Sequence, residues 1–204
     1  MSRRRIVLAA VLYAALSAAG LAWGALAGRP NVAVHAEPWL ALVPWKAHLA
    51  SLAMGVLLAL FTVWSTRVLV DRAAFARRLH DEFRRLLGPM SRATVALLAL
   101  GSSVGEEIFF RGAMQPWAGW LATSVVFGLL HVGPSRTLLP WTVWAVAMGL
   151  CFGAIFESTG SLVGPLVAHA WINYRNLRFI GASDPRRPGS APPPRLVGPP
   201  TRRP

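Results

Sequence analysis

Charge is scarce in this sequence. Only 14% of its 204 residues are Asp, Glu, Lys or Arg, where water-soluble domains carry about one quarter. Together with 54% hydrophobic residues and a mean hydropathy of +0.47, the shortfall argues against an aqueous fold and for a bilayer. Lysine is nearly missing (Lys46 is the only one), and acids are outnumbered, so the net charge is +13. A balance this basic suits nucleic acid, but no basic stretch is interleaved with groove-reading or stacking residues, so a nucleic-acid partner is excluded. Cys151 stands alone. That excludes an internal disulfide and any CxxC metal site, and leaves it as a small apolar residue.

Long apolar runs are what the chain does have. A helix crosses the hydrocarbon with about 20 such residues. Six runs qualify in some measure: Ile6 to Ala27, Ala47 to Thr66, Ala93 to Phe110, Trp117 to His131, Leu138 to Phe156, and Ser161 to Ile180. The fourth is short for a full crossing. The first ends in "ALA" at 25–27, like a signal-peptide cleavage site, but it outruns the apolar core of about 7 to 15 residues that such peptides use. An uncleaved first span is expected. Between the second and third runs lies "TRVLVDRAAFARRLHDEFRRLLGPMSR", whose apolar residues recur at helical spacing among arginines. It reads as an amphipathic helix on the lipid surface. The end, "GASDPRRPGSAPPPRLVGPPTRRP", is too rich in Pro, Gly and Arg to bury a core, and a disordered tail is expected over 181–204.

An all-α polytopic bundle of about six spans puts both termini on one side. The arginines agree. Arg3 to Arg5, the seven from Arg67 to Arg92, Arg136, and the seven from Arg175 to Arg203 all fall on the N-terminal side, 18 of 21 basic residues. Positive loops stay in the cytoplasm, so both ends are expected there, in a bacterial cytoplasmic membrane. Glycines four apart (Gly20 and Gly24, Gly101 and Gly105, Gly149 and Gly153, Gly160 and Gly164) indicate closely packed helices.

Ionisable groups inside a span are costly unless they pair or line a wet cavity. Six polar residues stand out: Glu106, Glu107 and Arg111 in the third run, His131 in the fourth, and His169 with Asn173 in the sixth. Residues four apart share a helix face. Glu107 and Arg111 can therefore pair, whereas Glu106 lies about 140° from Arg111 and is left to face something else. By the same rule His131 sits beside Phe127 and Asn173 beside His169. His35, His48 and His80 fall in loops or near span ends and read as surface or interfacial residues.

The three patterns, "EEIFFR" at 106–111, "FGLLH" at 127–131 and "HAWIN" at 169–173, resemble the CAAX-protease and bacteriocin-processing group of intramembrane endopeptidases, the Abi or CPBP family. The stretch "GAIFESTGSLVGPLVAHA" also resembles the family's last motif region, and the likeness covers about residues 92 to 178. It implies that Glu106, His131, His169 and Asn173 form the catalytic set, with Glu107 and Arg111 completing the first motif. It divides the chain into two N-terminal membrane helices with a basic amphipathic segment (1–91), a CAAX-protease-like helical core (92–180) and the tail (181–204).

Peptide hydrolysis requires a water, a base for its proton and donors for the developing oxyanion. Glu106 with His131 suits the first two tasks, and His169 with Asn173 the third. Glu106, His131 and His169 are also a three-ligand set for zinc. HExxH is absent, however, and a reaction requiring no cofactor is expected. Expected substrates are membrane-associated or lipid-modified protein tails or leader peptides. Two other classes compete: a non-catalytic membrane immunity or scaffold protein, which needs the bundle but not the base, and a proton-coupled transporter, which the lack of an inverted repeat disfavours.

Overall fold

A computed structural model describes residues 1–182, and they are helical almost throughout. Helix α1 (Arg3–Leu26) starts at Ser2, whose Oγ accepts from the Arg5 N–H at 3.4 Å. Helix α2 (Pro44–Arg72) opens with a proline in its first turn, where the missing N–H costs nothing. Helix α3 (Ala74–Leu87) follows after the single extended residue Ala73 and stops at Gly88, whose φ of 65° suits only glycine. Helix α4 (Arg92–Glu106) is capped by Ser91, which accepts from Thr94 N at 3.1 Å. It runs without a break into a π-helical segment (Glu107–Met114) and the short α5 (Gln115–Ala118). Helices α6 (Trp120–Leu129), α7 (Leu139–Thr159) and α8 (Val163–Ala182) complete the bundle.

Among the described residues, four helical stretches are long and apolar enough to cross a membrane: Arg3–Leu26, Pro44–Arg72, Arg92–Ala118 and Arg136–Thr159. The protein is therefore an integral membrane protein of all-α class. The other two expected spans differ from the reading of the sequence. Helix α6 has ten residues, about 15 Å, half the hydrocarbon thickness of about 30 Å. Helix α8 has the length, 20 residues, but His169, Asn173, Arg175 and Arg178 dilute its apolar character. The third span runs past Phe110 to Ala118, because Glu107 neutralises Arg111 within the helix and the apolar run continues behind it. The C-terminal helix continues through Gly181 and Ala182, which the tail was expected to include, and the rest of that expected tail, 183–204, lies outside the described residues.

Part of the apolar face of helix α3 packs on the bundle. Ala76 and His80 are buried, the Phe83 ring meets Trp141 edge-on at 5.1 Å, and His80 meets Phe179 at 4.9 Å. Phe75 and Leu86 stay exposed, and Arg78 lies outside. His80 is thus a core residue, not a surface one.

Close approaches explain one of the glycine pairs and one member of another. α2 packs on α8 where Gly55 faces Gly164, and a Cβ on either would strike the other helix's backbone. Ser51 Oγ accepts from Gly164 N there at 2.9 Å. α1 packs on α4 across Gly101 and Gly105, where a Cβ on Gly105 would lie 2.6 Å from the Tyr13 carbonyl oxygen. This contact sets α1 beside the first motif.

Candidate active site

The three motifs lie on three separate elements. Glu106 is the last residue of α4 and Glu107 and Arg111 belong to the π-helical turn. His131 sits just past α6, and His169 and Asn173 share one face of α8. A π turn inside a longer helix is rare and commonly marks a functional site. Here it lies at the junction of the two glutamates.

Glu107 and Arg111 are fully buried and paired, with Arg111 Nη1 donating to Glu107 Oε1 at 3.1 Å. The guanidinium also donates to the Gly149 carbonyl at 3.4 Å and lies over the Phe127 ring, 4.3 Å from its centroid. Burying the pair is tolerable because each charge has the other and further donors, acceptors or aromatic faces around it. The same Glu107 Oε1 accepts from His169 Nδ1 at 2.7 Å. Glu107 therefore does more than neutralise Arg111, the role its spacing suggested: it also orients a histidine.

Both histidines are held the same way round. His131 Nδ1 donates to the Phe127 carbonyl at 2.7 Å, since a carbonyl can only accept. His169 Nδ1 donates to a carboxylate. Neutral imidazoles so committed present lone pairs at Nε2. Each Nε2 faces Glu106 Oε2 at 3.8 Å. That is too long for a direct hydrogen bond, and acceptor faces acceptor in both cases. Glu106 Oε2 is buried with no hydrogen-bond partner among the described residues. Rings fix the imidazoles further: His169 stacks on Phe152 at 5.1 Å and 19°, and His131 stands edge-on to Trp141 at 5.1 Å.

Asn173 points to the same place but is partly engaged, Nδ2 donating to Ser102 Oγ at 3.0 Å. Its second amide hydrogen remains. Ser102 had no place in the sequence reading, because a serine in an apolar run carries no distinguishing signal. Glu106, His131, His169, Asn173 and Ser102 all line one cavity of about 480 Å³, roofed by Phe75, Leu79 and Phe83 of α3. All the candidate site residues thus converge, Glu107 and Arg111 standing behind the cavity wall.

The donor set was tested against a metal. Two ligand atoms on a tetrahedral zinc with bonds of about 2.0–2.1 Å sit about 3.3 Å apart, closer than the 3.8 Å separations here. Among the described residues, no group of three or more His, Cys, Asp or Glu side chains is arranged to hold a metal ion.

A second polar cluster went unread in the sequence. Glu157, near the C-terminal end of α7, accepts from Gln115 Nε2 at 2.9 Å and faces His35 Nε2 at 3.7 Å. Gln115 also donates to the Gly153 carbonyl at 3.0 Å. The segment joining α1 and α2 is tied over this cluster by His35 N to Gly160 O at 2.9 Å and Trp39 N to Glu157 O at 2.8 Å. The signal was available: Glu157 is a carboxylate at the end of an apolar run, as Glu106 is. His35 belongs to this cluster and is more than a surface residue, whereas His48 is exposed, as expected, and hydrogen-bonds Ser161 Oγ at 2.8 Å.

Comparison with known proteins finds likenesses over the segment that carries the site. Residues 89–175 match the family model described as type II CAAX prenyl endopeptidase Rce1-like. An uncharacterized protein of Bacillus subtilis, YpbD, is 29% identical over 110 residues, which cover 50% of this chain. The chain spans 57% of that relative's length. No solved structure matches. The matched residues are the helical core that brings Glu106, His131, His169 and Asn173 together, and in that core the chain is similar to the Rce1-like CAAX proteases.

Proposed function

We propose that this protein is an intramembrane endopeptidase that hydrolyses peptide bonds of membrane-associated or lipid-modified tails or leader peptides. The observation that carries the reading is the unpartnered Glu106 Oε2, 3.8 Å from two imidazole Nε2 atoms at the wall of a cavity. Acceptors around one gap call for a donor between them, and a water there donates one hydrogen to Glu106 Oε2 and the other to an imidazole Nε2 at about 2.8 Å.

In the proposed mechanism Glu106 takes one proton from that water while His131 Nε2 accepts its other hydrogen and orients it. The resulting hydroxide adds to the scissile carbonyl carbon. The tetrahedral oxygen accepts from the free amide hydrogen of Asn173. On collapse the C–N bond breaks, and Glu106 returns the proton to the leaving nitrogen. Glu107 holds His169 with Nδ1 protonated, and Arg111 keeps Glu107 ionised in its buried place. No step is routed through a metal, and activity surviving exhaustive chelation is the expected result.

The proposal places all six helical runs in or partly in the bilayer with both ends cytoplasmic, as the arginine distribution favours. The α3 roof then lies on the cytoplasmic face, and the membrane is that of a bacterial cell. The apolar walls of the cavity suit a lipidated or hydrophobic segment.

Comparative membrane proteomics of a deletion strain and a Glu106→Gln strain tests this. Both are expected to accumulate the same uncut protein tail. Full processing in the Glu106→Gln strain would remove Glu106 from the reaction.

A further inference from the structure

We propose that Tyr13 of α1, outside the family-matched segment, is a further catalytic residue whose phenol donates a hydrogen bond to the substrate carbonyl oxygen as negative charge builds there. This rests on the endopeptidase reading above.

The position of Tyr13 is set by glycines. Helix α1 approaches α4 at Gly101 and Gly105, and the Tyr13 ring lies over Gly101, its Cδ2 3.3 Å from where a Cβ would stand. Gly105 immediately precedes Glu106 in the chain. A larger residue at either position would push α1, and the phenol with it, away from the first motif. Tyr13 lines the same cavity as Glu106, His131, His169 and Asn173. Beyond Arg5 the remainder of α1 is apolar or glycine except for Ser17, with Trp23 its only other aromatic residue. A tyrosine in such a setting ordinarily finds a partner for its hydroxyl. Among the described residues no hydrogen bond occupies it.

A count of donors gives the reason such a group is needed. Both imidazoles have committed their Nδ1 hydrogens to oxygens and turn lone pairs inward. Glu106 is an acceptor, and Asn173 has given one of its two amide hydrogens to Ser102. One free N–H remains for an oxyanion, where acyl-transfer sites use preorganised donors in combination. The phenolic O–H supplies the second.

The test uses full-length protein in liposomes and a prenylated CAAX-type peptide carrying a fluorophore and quencher across the scissile bond. Tyr13→Phe keeps the ring over Gly101 and removes only the donor. We expect kcat to fall about 10²-fold across the pH plateau, with KM within about threefold and the acid limb of the profile unmoved. Thermal unfolding in detergent should match the wild type. A wild-type plateau in Tyr13→Phe, with Glu106→Gln dead, overturns this proposal alone. An acid limb shifted at unchanged plateau height also overturns it, because the phenol then acts on Glu106 and not on substrate. Equal silence from wild type and Glu106→Gln overturns the endopeptidase reading and this one with it.

Discussion

Among the described residues the protein holds two carboxylate–histidine clusters, one around Glu106 and one around Glu157, and they differ in one chemical respect. At Glu106 the facing nitrogens are lone pairs, since His131 and His169 have spent their Nδ1 hydrogens elsewhere. At Glu157 the tautomer is reversed. His35 Nδ1 accepts from the Glu37 N–H at 3.1 Å, so its hydrogen sits on Nε2 and faces the carboxylate. The separations are nearly equal, 3.8 Å and 3.7 Å. Yet one gap is acceptor to acceptor and demands a third body, and the other is donor to acceptor and demands nothing. Glu157 is further quieted by Gln115, whereas Glu106 Oε2 is left bare beside a cavity. A buried carboxylate and a nearby histidine do not make a reactive site. Which nitrogen carries the hydrogen decides it, and that is set by the neighbours of the far ring atom.

The largest effect should separate the two carboxylates. Glu106→Gln is expected to lower cleavage by about 10²–10⁴-fold, while Glu157→Gln keeps a neutral oxygen for Gln115 and stays near the wild-type rate. Similar losses in both variants, measured in liposomes with one peptide reporter, would erase the distinction drawn above.

Next in size is a stability effect behind the reactive cluster. Arg111→Met leaves Glu107 buried without its cation and should cost about 3–5 kcal/mol, read as lost thermal stability in detergent. Removing both charges, as Glu107→Gln with Arg111→Met, should recover much of that stability but not activity, because His169 then loses the carboxylate that fixes its tautomer. Full activity in the double variant would deny Glu107 its orienting role.

The smallest effect belongs to the quiet cluster. His35→Ala removes one weak partner of Glu157 and an edge contact to Phe156 at 5.4 Å. It should cost about 0.5–1.5 kcal/mol and leave the rate unchanged. A fall in kcat would mean that the strap between α1 and α2 couples to the chemistry.

Much of this was legible in the sequence, for reasons that differ by residue. Helical class and membrane character follow from composition. The Glu107–Arg111 pair follows from four-residue spacing, which survives even the π-helical turn. What the sequence leaves open is direction across helices. Glu107 reaching His169 depends on how α4 and α8 are rotated against each other, and no local pattern encodes that. The amphipathic stripe of α3 is visible, but lipid and the bundle are both apolar, so periodicity cannot say which one it covers. Tyr13 was invisible for a related reason. A lone tyrosine in an apolar helix gains meaning only when Gly101 and Gly105 bring it against Glu106.

The gap between Glu106 Oε2 and the two Nε2 atoms is the place to test the mechanism directly. An experimental density map of the full-length protein, with anomalous data collected at the zinc edge, would report what sits there. We expect one solvent oxygen at about 2.7–3.0 Å from Glu106 Oε2 and from one of the two Nε2 atoms, and no anomalous peak. A metal peak, a direct contact between Glu106 and either imidazole, or a Glu106 side chain turned to lipid would contradict it.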